Sequence, residues 1–207
     1  MTKSEIPDYS SKANLLRREL KQRRAAISPH QRERAGRLAW QHLRYWPVLR
    51  RAKKVACYLA MPGEFPTETI LQGLLNQEKE VYVPVVDQHQ QRKMVFQRYR
   101  PNAPMRQNRY GIIEPVELPR QQINATRLDL ILMPLLGFDH CGTRIGMGGG
   151  YYDTSLAFRL EQWRMKKTRL VGLAFDVQHC HSLERNHWDV PLDAVLTESG
   201  VRVVGGG

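Results

Sequence analysis

No apolar run in the chain approaches the ~20 residues that crossing a bilayer takes, and the opening Met1-Thr2-Lys3-Ser4-Glu5 lacks the apolar core of a secretion signal. Those two absences predict a cytoplasmic protein that does not engage membranes. Cysteine is scarce: Cys57, Cys141 and Cys180 are odd in number and far apart, which excludes a disulfide framework and points to a reducing compartment. No Cys-x-x-Cys pair occurs, so His140, Cys141, His179, Cys180 and His181 lack the spacing of a zinc site. Internal repeats and low-complexity tracts are missing too. Acidic residues are outnumbered, 20 Asp+Glu against 32 Lys+Arg, for a net charge of +12. The imbalance is local. Residues 1–54 hold 15 basic and 4 acidic side chains, residues 55–207 hold 17 and 16. A basic N-terminal segment on a neutral body attracts polyanions: nucleic acid, nucleotide phosphates or a polyglutamylated small molecule. Most of these side chains equally suit a solvated helix face.

With 207 residues, 42% of them hydrophobic, one domain with a substantial core is expected. Ala13, Leu16, Leu20 and Ile27 form a helical stripe, with Arg17, Arg18, Lys21, Arg23 and Arg24 around it. Ser28-Pro29 reads as the cap and first residue of a second helix, which carries Ala35, Leu38, Ala39, His42, Leu43 and Trp46 on one face and stops before Pro47. Together they predict a basic αα-hairpin over residues 12–46, packed on the main body. Strands are predicted at 55–60, 80–86, 95–99, 130–133, 170–175 and 194–197, with a short edge at 201–204 and helices at 67–76 and 151–160. This alternation implies a single three-layer α/β domain over residues 12–204 with a mostly parallel sheet, its ligands bound beyond the carboxyl ends of the strands. Residues 1–11 are expected to be disordered, 87–93 to form a polar turn and 205–207 to fray.

Glycine, by contrast, is concentrated. Gly146, Gly148, Gly149 and Gly150 fall within five positions of the run Gly142-Thr143-Arg144-Ile145-Gly146-Met147-Gly148-Gly149-Gly150-Tyr151-Tyr152-Asp153. A backbone without Cβ atoms can turn its N–H groups toward a phosphate, and a strand before and a helix after give the loop the setting phosphate sites prefer. The run fits neither common phosphate motif: no Gly-Lys-Ser/Thr ends it, and Tyr151 stands where a dinucleotide fingerprint has its third glycine. Glycines alone would suit a flexible surface turn. Arg144, Tyr152 and Asp153 beside them favour a ligand site, with Arg144 placed for an anion.

Further motifs accompany the loop in a fixed order: Leu16-Arg17 with Arg23-Arg24; Glu64 with Thr67; Tyr110-Gly111-Ile112-Ile113-Glu114-Pro115; Gly137-Phe138-Asp139; and Trp188-Asp189-Val190-Pro191-Leu192-Asp193 before Thr197-Glu198. This set, over residues 12–200, resembles the 5-formyltetrahydrofolate cyclo-ligase family, also called 5,10-methenyltetrahydrofolate synthetases. The resemblance implies a fold similar to the ribose-phosphate isomerase and CoA-transferase group. It implies an ATP- and magnesium-dependent closure of 5-formyltetrahydrofolate, in free or polyglutamylated form, to 5,10-methenyltetrahydrofolate, releasing ADP and phosphate.

By the same resemblance, Arg144, Ile145, Gly146, Met147, Gly148, Gly149, Gly150, Tyr151 and Tyr152 cradle the triphosphate, with Lys12 and Arg17 holding the nucleotide from the other side. Lys12 stands one place earlier than the family's basic residue, whose position is taken by Ala13. Asp153 and Asp189 serve the magnesium ion, and Leu59, Glu64, Tyr110 and Tyr152 the folate. Arg144 and Asp153 are the implied catalytic pair.

Read from the residues alone, Asp153 could instead complement the dipole of the following helix, Asp189 could cap a turn, Glu64 could be a solvated carboxylate, and Tyr110 and Tyr152 could be core aromatics. A monomer is expected. Two rival readings remain at this stage: a nucleic-acid-binding module built on the basic hairpin, and a sugar-phosphate isomerase on the same type of fold, which would need no ATP.

Overall fold

Side chains alternate across a strand, so a strand apolar at every position must be covered on both faces. Leu130, Ile131, Leu132 and Met133 meet that condition, and all four are completely buried. They lie inside an eight-stranded sheet in the computed structural model, which describes residues 9–86, 93–108, 111, 113–116, 118–161 and 168–204. The polar turn expected at 87–93 falls mostly outside the described residues, as do 1–8, 205–207 and Tyr110.

The helices are α1 (Tyr9–Ala25), α2 (Pro29–Leu43), α3 (Pro47–Arg51), α4 (Glu68–Asn76), α5 (Tyr151–Leu156) and α6 (Phe158–Glu161). The strands run β1 (Lys54–Cys57), β2 (Glu80–Val86), β3 (Met94–Arg98), β4 (Met105–Gln107), β5 (Ile113–Pro115), β6 (Gln122–Ile123), β7 (Leu130–Pro134), β8 (Gly137–Phe138), β9 (Arg144–Ile145), β10 (Arg169–Leu173), β11 (Ala194–Thr197) and β12 (Gly200–Val203). In the large sheet the order is β12-β11-β10-β7-β1-β2-β3-β6. Strands β11, β10, β7, β1 and β2 pair in parallel, and antiparallel strands extend both edges. The expected mostly parallel α/β sheet is present. Strands β4–β5 and β8–β9 form separate ribbons that hydrophobic periodicity does not reveal, because two- and three-residue strands are too short to carry a period.

Register divides the core in two. Val55, Cys57, Leu130, Leu132, Val171, Leu173 and Leu196 pack on one face with Ala39, Leu43, Ile70 and Leu74 of α2 and α4. Ala56, Ile131, Met133, Leu170 and Val195 pack on the other with Phe96, Leu156, Val190 and Leu192. The second face is covered mainly by short helices and loops. The helix expected over 151–160 breaks at Ala157, and Arg159 in the following turn sends Nη2 to both oxygens of Asp193, at 2.9 and 2.8 Å.

Ser28 caps α2 in a reciprocal box with Gln31, as the Ser28-Pro29 signal predicts. That helix ends at Leu43 rather than Trp46, and Pro47 opens α3, since proline is well tolerated in a first helical turn. The N-terminal hairpin takes a different form from the one expected. Helix α2 packs on α4 and the β11–β12 edge, whereas α1 packs against the turn at Asp176–Gln178, so each docks on the body by its own apolar face. Helix α1 also begins at Tyr9, inside the segment expected to be disordered.

Candidate active site

The sheet's strand order reverses around β1 and β7, and in parallel sheets the crevice at such a point is where ligands bind. The turn after β1 carries Glu64, and the segment after β7 carries the glycine loop. Asp139 shapes the entry to that loop: Oδ1 accepts from the N–H groups of Cys141 and Thr143, both at 2.9 Å, and Oδ2 from Leu183 N at 3.0 Å. Gly142 completes the turn at φ 76°, where a Cβ would stand 2.7 Å from the Leu192 carbonyl oxygen. The chain returns along β9 and passes Gly148 at φ 98° and Gly150 at φ 70°, both in the left-handed region that favours glycine, before α5 starts. A Cβ at Gly146 or Gly148 would meet nothing within 4 Å, so these positions face open space.

Arg144 is held inside the protein. Its side chain is 6% exposed, with Nη2 donating to Asp153 Oδ1 at 2.5 Å and Nη1 to the Val190 carbonyl. The same Asp153 oxygen accepts from Val190 N at 3.2 Å. The anion paired with Arg144 in the structure is therefore a carboxylate of the chain itself, which the motif does not reveal. Asp189, the residue before Val190, directs Oδ2 to the backbone N–H and side-chain amide of Asn186, at 2.8 and 3.2 Å. Among the described residues neither Asp153 Oδ2 nor Asp189 Oδ1 accepts a hydrogen bond. No group of three or more His, Cys, Asp or Glu side chains forms a metal cage among them.

Helix α1 closes one side of the crevice. Arg17 Nε donates to the Gly146 carbonyl at 3.2 Å, tying the basic helix to the glycine loop. Glu64 lines the same crevice, and its Oε2 accepts from Met61 N at 2.9 Å. Burial raises the Glu64 carboxyl above the ordinary range, against the lowering effects of the Met61 hydrogen bond and the nearby Arg24 charge. Tyr58 and Tyr152 stand beside it, and burial pushes both phenols up, so both stay neutral and protonated. The Tyr58 hydroxyl donates to the Phe65 carbonyl at 3.0 Å, fixing the turn behind Glu64.

These walls enclose a cleft of about 1180 Å³. Lys12, Arg17, Leu59, Glu64, every residue from Arg144 to Asp153, and Asp189 all line it. Tyr110, expected beside the folate, lies outside the described residues. The cleft also exposes residues that sequence reasoning missed: apolar Met61, Pro84, Val86, Met94 and Leu160, and Trp188 at the mouth. Glu114 lines it too, 3% exposed, paired with Arg106 Nε and Nη2 at 3.2 and 3.0 Å and accepting a hydrogen bond from Asn108 Nδ2 at 2.9 Å. Glu114 and Trp188 stood within quoted motifs, which were the available signal. The apolar residues are scattered over a turn, β2, β3 and α6 and carry none.

Residues 9–198 match the 5-formyltetrahydrofolate cyclo-ligase family. A Haemophilus influenzae protein named 5-formyltetrahydrofolate cyclo-ligase is 36% identical over 187 residues, 90% of this chain and 98% of its own. An Escherichia coli K12 protein of the same name is 36% identical over 182 residues, 88% of this chain and 98% of its own. Among solved structures, the Aquifex aeolicus 5,10-methenyltetrahydrofolate synthetase superposes with a TM-score of 0.78 at 31% identity, covering 94% of each chain.

Proposed function

The chain belongs to the 5-formyltetrahydrofolate cyclo-ligase family, and we propose that its cleft is where ATP drives closure of 5-formyltetrahydrofolate to the 5,10-methenyl form. A formamide is a weak electrophile, and closing N10 onto it directly would expel an oxide. Transfer of the γ-phosphoryl group to the formyl oxygen releases ADP and turns that oxygen into part of a phosphate leaving group. N10 then bonds to the formyl carbon, loses its proton, and phosphate departs. The chain's task is to align two substrates and to stabilise the charge on the transferring oxygens.

One observation carries the assignment of residues: the glycine loop, tied to the basic face of α1 through Arg17, lines a single cleft together with Glu64. Open space over Gly146 and Gly148 leaves their backbone accessible to phosphate oxygens, with Lys12 and Arg17 supplying positive charge. Arg144 contributes by fixing the loop's base and keeping a positive charge beneath it. Leu59, Met61, Val86, Met94 and Tyr152 offer an apolar bed for the pterin and its aryl group, and Glu64 a carboxylate for pterin N–H groups.

Asp153 and Asp189 fit magnesium, which takes few protein carboxylates and fills its sphere with phosphate oxygens and water. Each has an oxygen that accepts no hydrogen bond among the described residues. When held by Asp153 and Asp189, magnesium would neutralise charge on the triphosphate. One chain supplies all of these residues, which supports reading the active unit as a monomer. The three free cysteines suit a cytoplasmic setting. With Lys12 and Arg17 facing the cleft, part of the basic N-terminus has a partner in ATP, and the nucleic-acid reading is not favoured.

The test follows near-ultraviolet absorbance of protein mixed with 5-formyltetrahydrofolate and Mg-ATP, with each component omitted in turn. The methenyl chromophore is expected only in the complete mixture. A flat trace from folded, ATP-binding protein would assign the cleft to another phosphoryl acceptor.

A further inference from the structure

Arg32 belongs to none of the motifs and lies outside the cleft lining, yet its guanidinium joins segments that build the cleft. From the first turn of α2, Nε donates to the Ile27 carbonyl at 3.1 Å and Nη2 to the Arg24 carbonyl, where α1 ends. Nη1 donates to the Gly63 carbonyl at 2.8 Å and reaches the Glu64 carbonyl at 3.5 Å. The guanidinium carbon lies 5.3 Å from the centre of the Phe175 ring, which packs against Phe65 at 4.8 Å. One planar cation thus binds the C-terminus of α1 to the turn that presents Glu64, over an aromatic base. The carbonyls come from separate stretches of backbone, and only a fork of several fixed donors can reach them together.

We propose that Arg32 is a positioning residue for the folate wall: it sets Glu64 and Arg24 at their mutual spacing and so fixes the carboxylate that the folate meets. The proposal rests on the assignment of Glu64 to the folate. Helix α1 has a separate hold on the glycine loop through Arg17 and Gly146, so the nucleotide wall does not depend on this clamp.

The experiment is a cycle of Arg32→Lys, Glu64→Gln and the double variant, with KM for each substrate, kcat and thermal midpoints measured on the full chain. Lysine keeps the charge and loses the fork. Arg32→Lys is expected to raise the 5-formyltetrahydrofolate KM about tenfold and the ATP KM less than about twofold. In the double variant the folate KM stays at the Glu64→Gln value, because the clamp acts through that carboxylate. Phe175→Leu removes the ring beneath the guanidinium and leaves its hydrogen-bond partners. It is expected to shift the folate KM the same way and to be masked likewise by Glu64→Gln, which covers a poorly folding Arg32→Lys.

Independent multiplication of the Arg32 and Glu64 effects, or equal rises in both KM values, would reduce Arg32 to a fold staple and overturn the proposal. A folate KM untouched by Glu64→Gln would remove the Glu64 assignment and the clamp's role with it. An effect of Glu64→Gln with none from Arg32→Lys or Phe175→Leu would sink the clamp alone.

Discussion

Arg144 and Asp153 bracket the glycine loop and close it at its base, Nη2 to Oδ1 at 2.5 Å across nine positions of sequence. The arginine is 6% exposed and the aspartate 31%, so the clasp sits in the floor of the cleft with one face toward the ligand space. The pair explains how so many glycines can form a defined surface. The loop's flexibility is confined between two ends that are ionically joined and both tied to Val190.

Asp153→Asn should therefore do two things. It removes the charge opposite a buried guanidinium, lowering stability by about 1–3 kcal/mol in urea unfolding. It also removes a carboxylate proposed for magnesium, so the metal concentration giving half-maximal rate should rise at least about tenfold. Asp189→Asn should reproduce the magnesium effect with little loss of stability, since among the described residues the Asp189 carboxylate meets only Asn186. Equal stability losses in the two variants would contradict the clasp.

The glycines separate conformation from contact. Gly146 has open space and no positive φ, so Gly146→Ala should leave stability within about 0.5 kcal/mol of the parent. If its backbone approaches phosphate, the KM for ATP should still rise about tenfold. Gly148→Ala, forced to φ 98°, should cost about 1–2 kcal/mol in addition. An unchanged ATP KM in both variants would mean that the loop is an ordinary surface turn.

Glu64 predicts a pH signature. Burial raises its carboxyl above the ordinary value of 4.5, so the folded chain holds that proton more tightly than the unfolded chain. The stability this provides is full below 4.5 and is lost as pH rises through the folded value. Glu64→Gln abolishes the dependence. Its stability relative to the parent should improve between pH 4 and pH 7, while its folate KM worsens. Denaturant midpoints at several pH values read the slope, and a difference independent of pH would mean that Glu64 titrates normally.

A stability variant remote from chemistry is Gly73→Ala. A Cβ there would lie 2.2 Å from the Trp40 ring, where α4 crosses α2. Overpacking should lower stability by about 1–3 kcal/mol with kcat and both KM values unchanged at temperatures where the protein stays folded.

Much of this molecule was legible beforehand. Uninterrupted apolar runs such as Leu130 to Met133 announced covered parallel strands, Ser28-Pro29 announced a helix start, and the clustered glycines announced the loop that lines the cleft. Such features are local: periodicity, capping and backbone freedom act over a few residues, so the amino-acid sequence alone determined them. What it could not decide was which distant groups meet. The joint hold of Arg144 and Asp153 on Val190, the separate docking of α1 and α2, the break at Ala157 with Arg159 on Asp193, and the Arg32 clamp on Gly63 depend on contacts between segments far apart in the chain. Any of these arginines could have been a solvated surface charge. Only packing in three dimensions, by removing water from some and leaving it on others, decided which one would hold the site together.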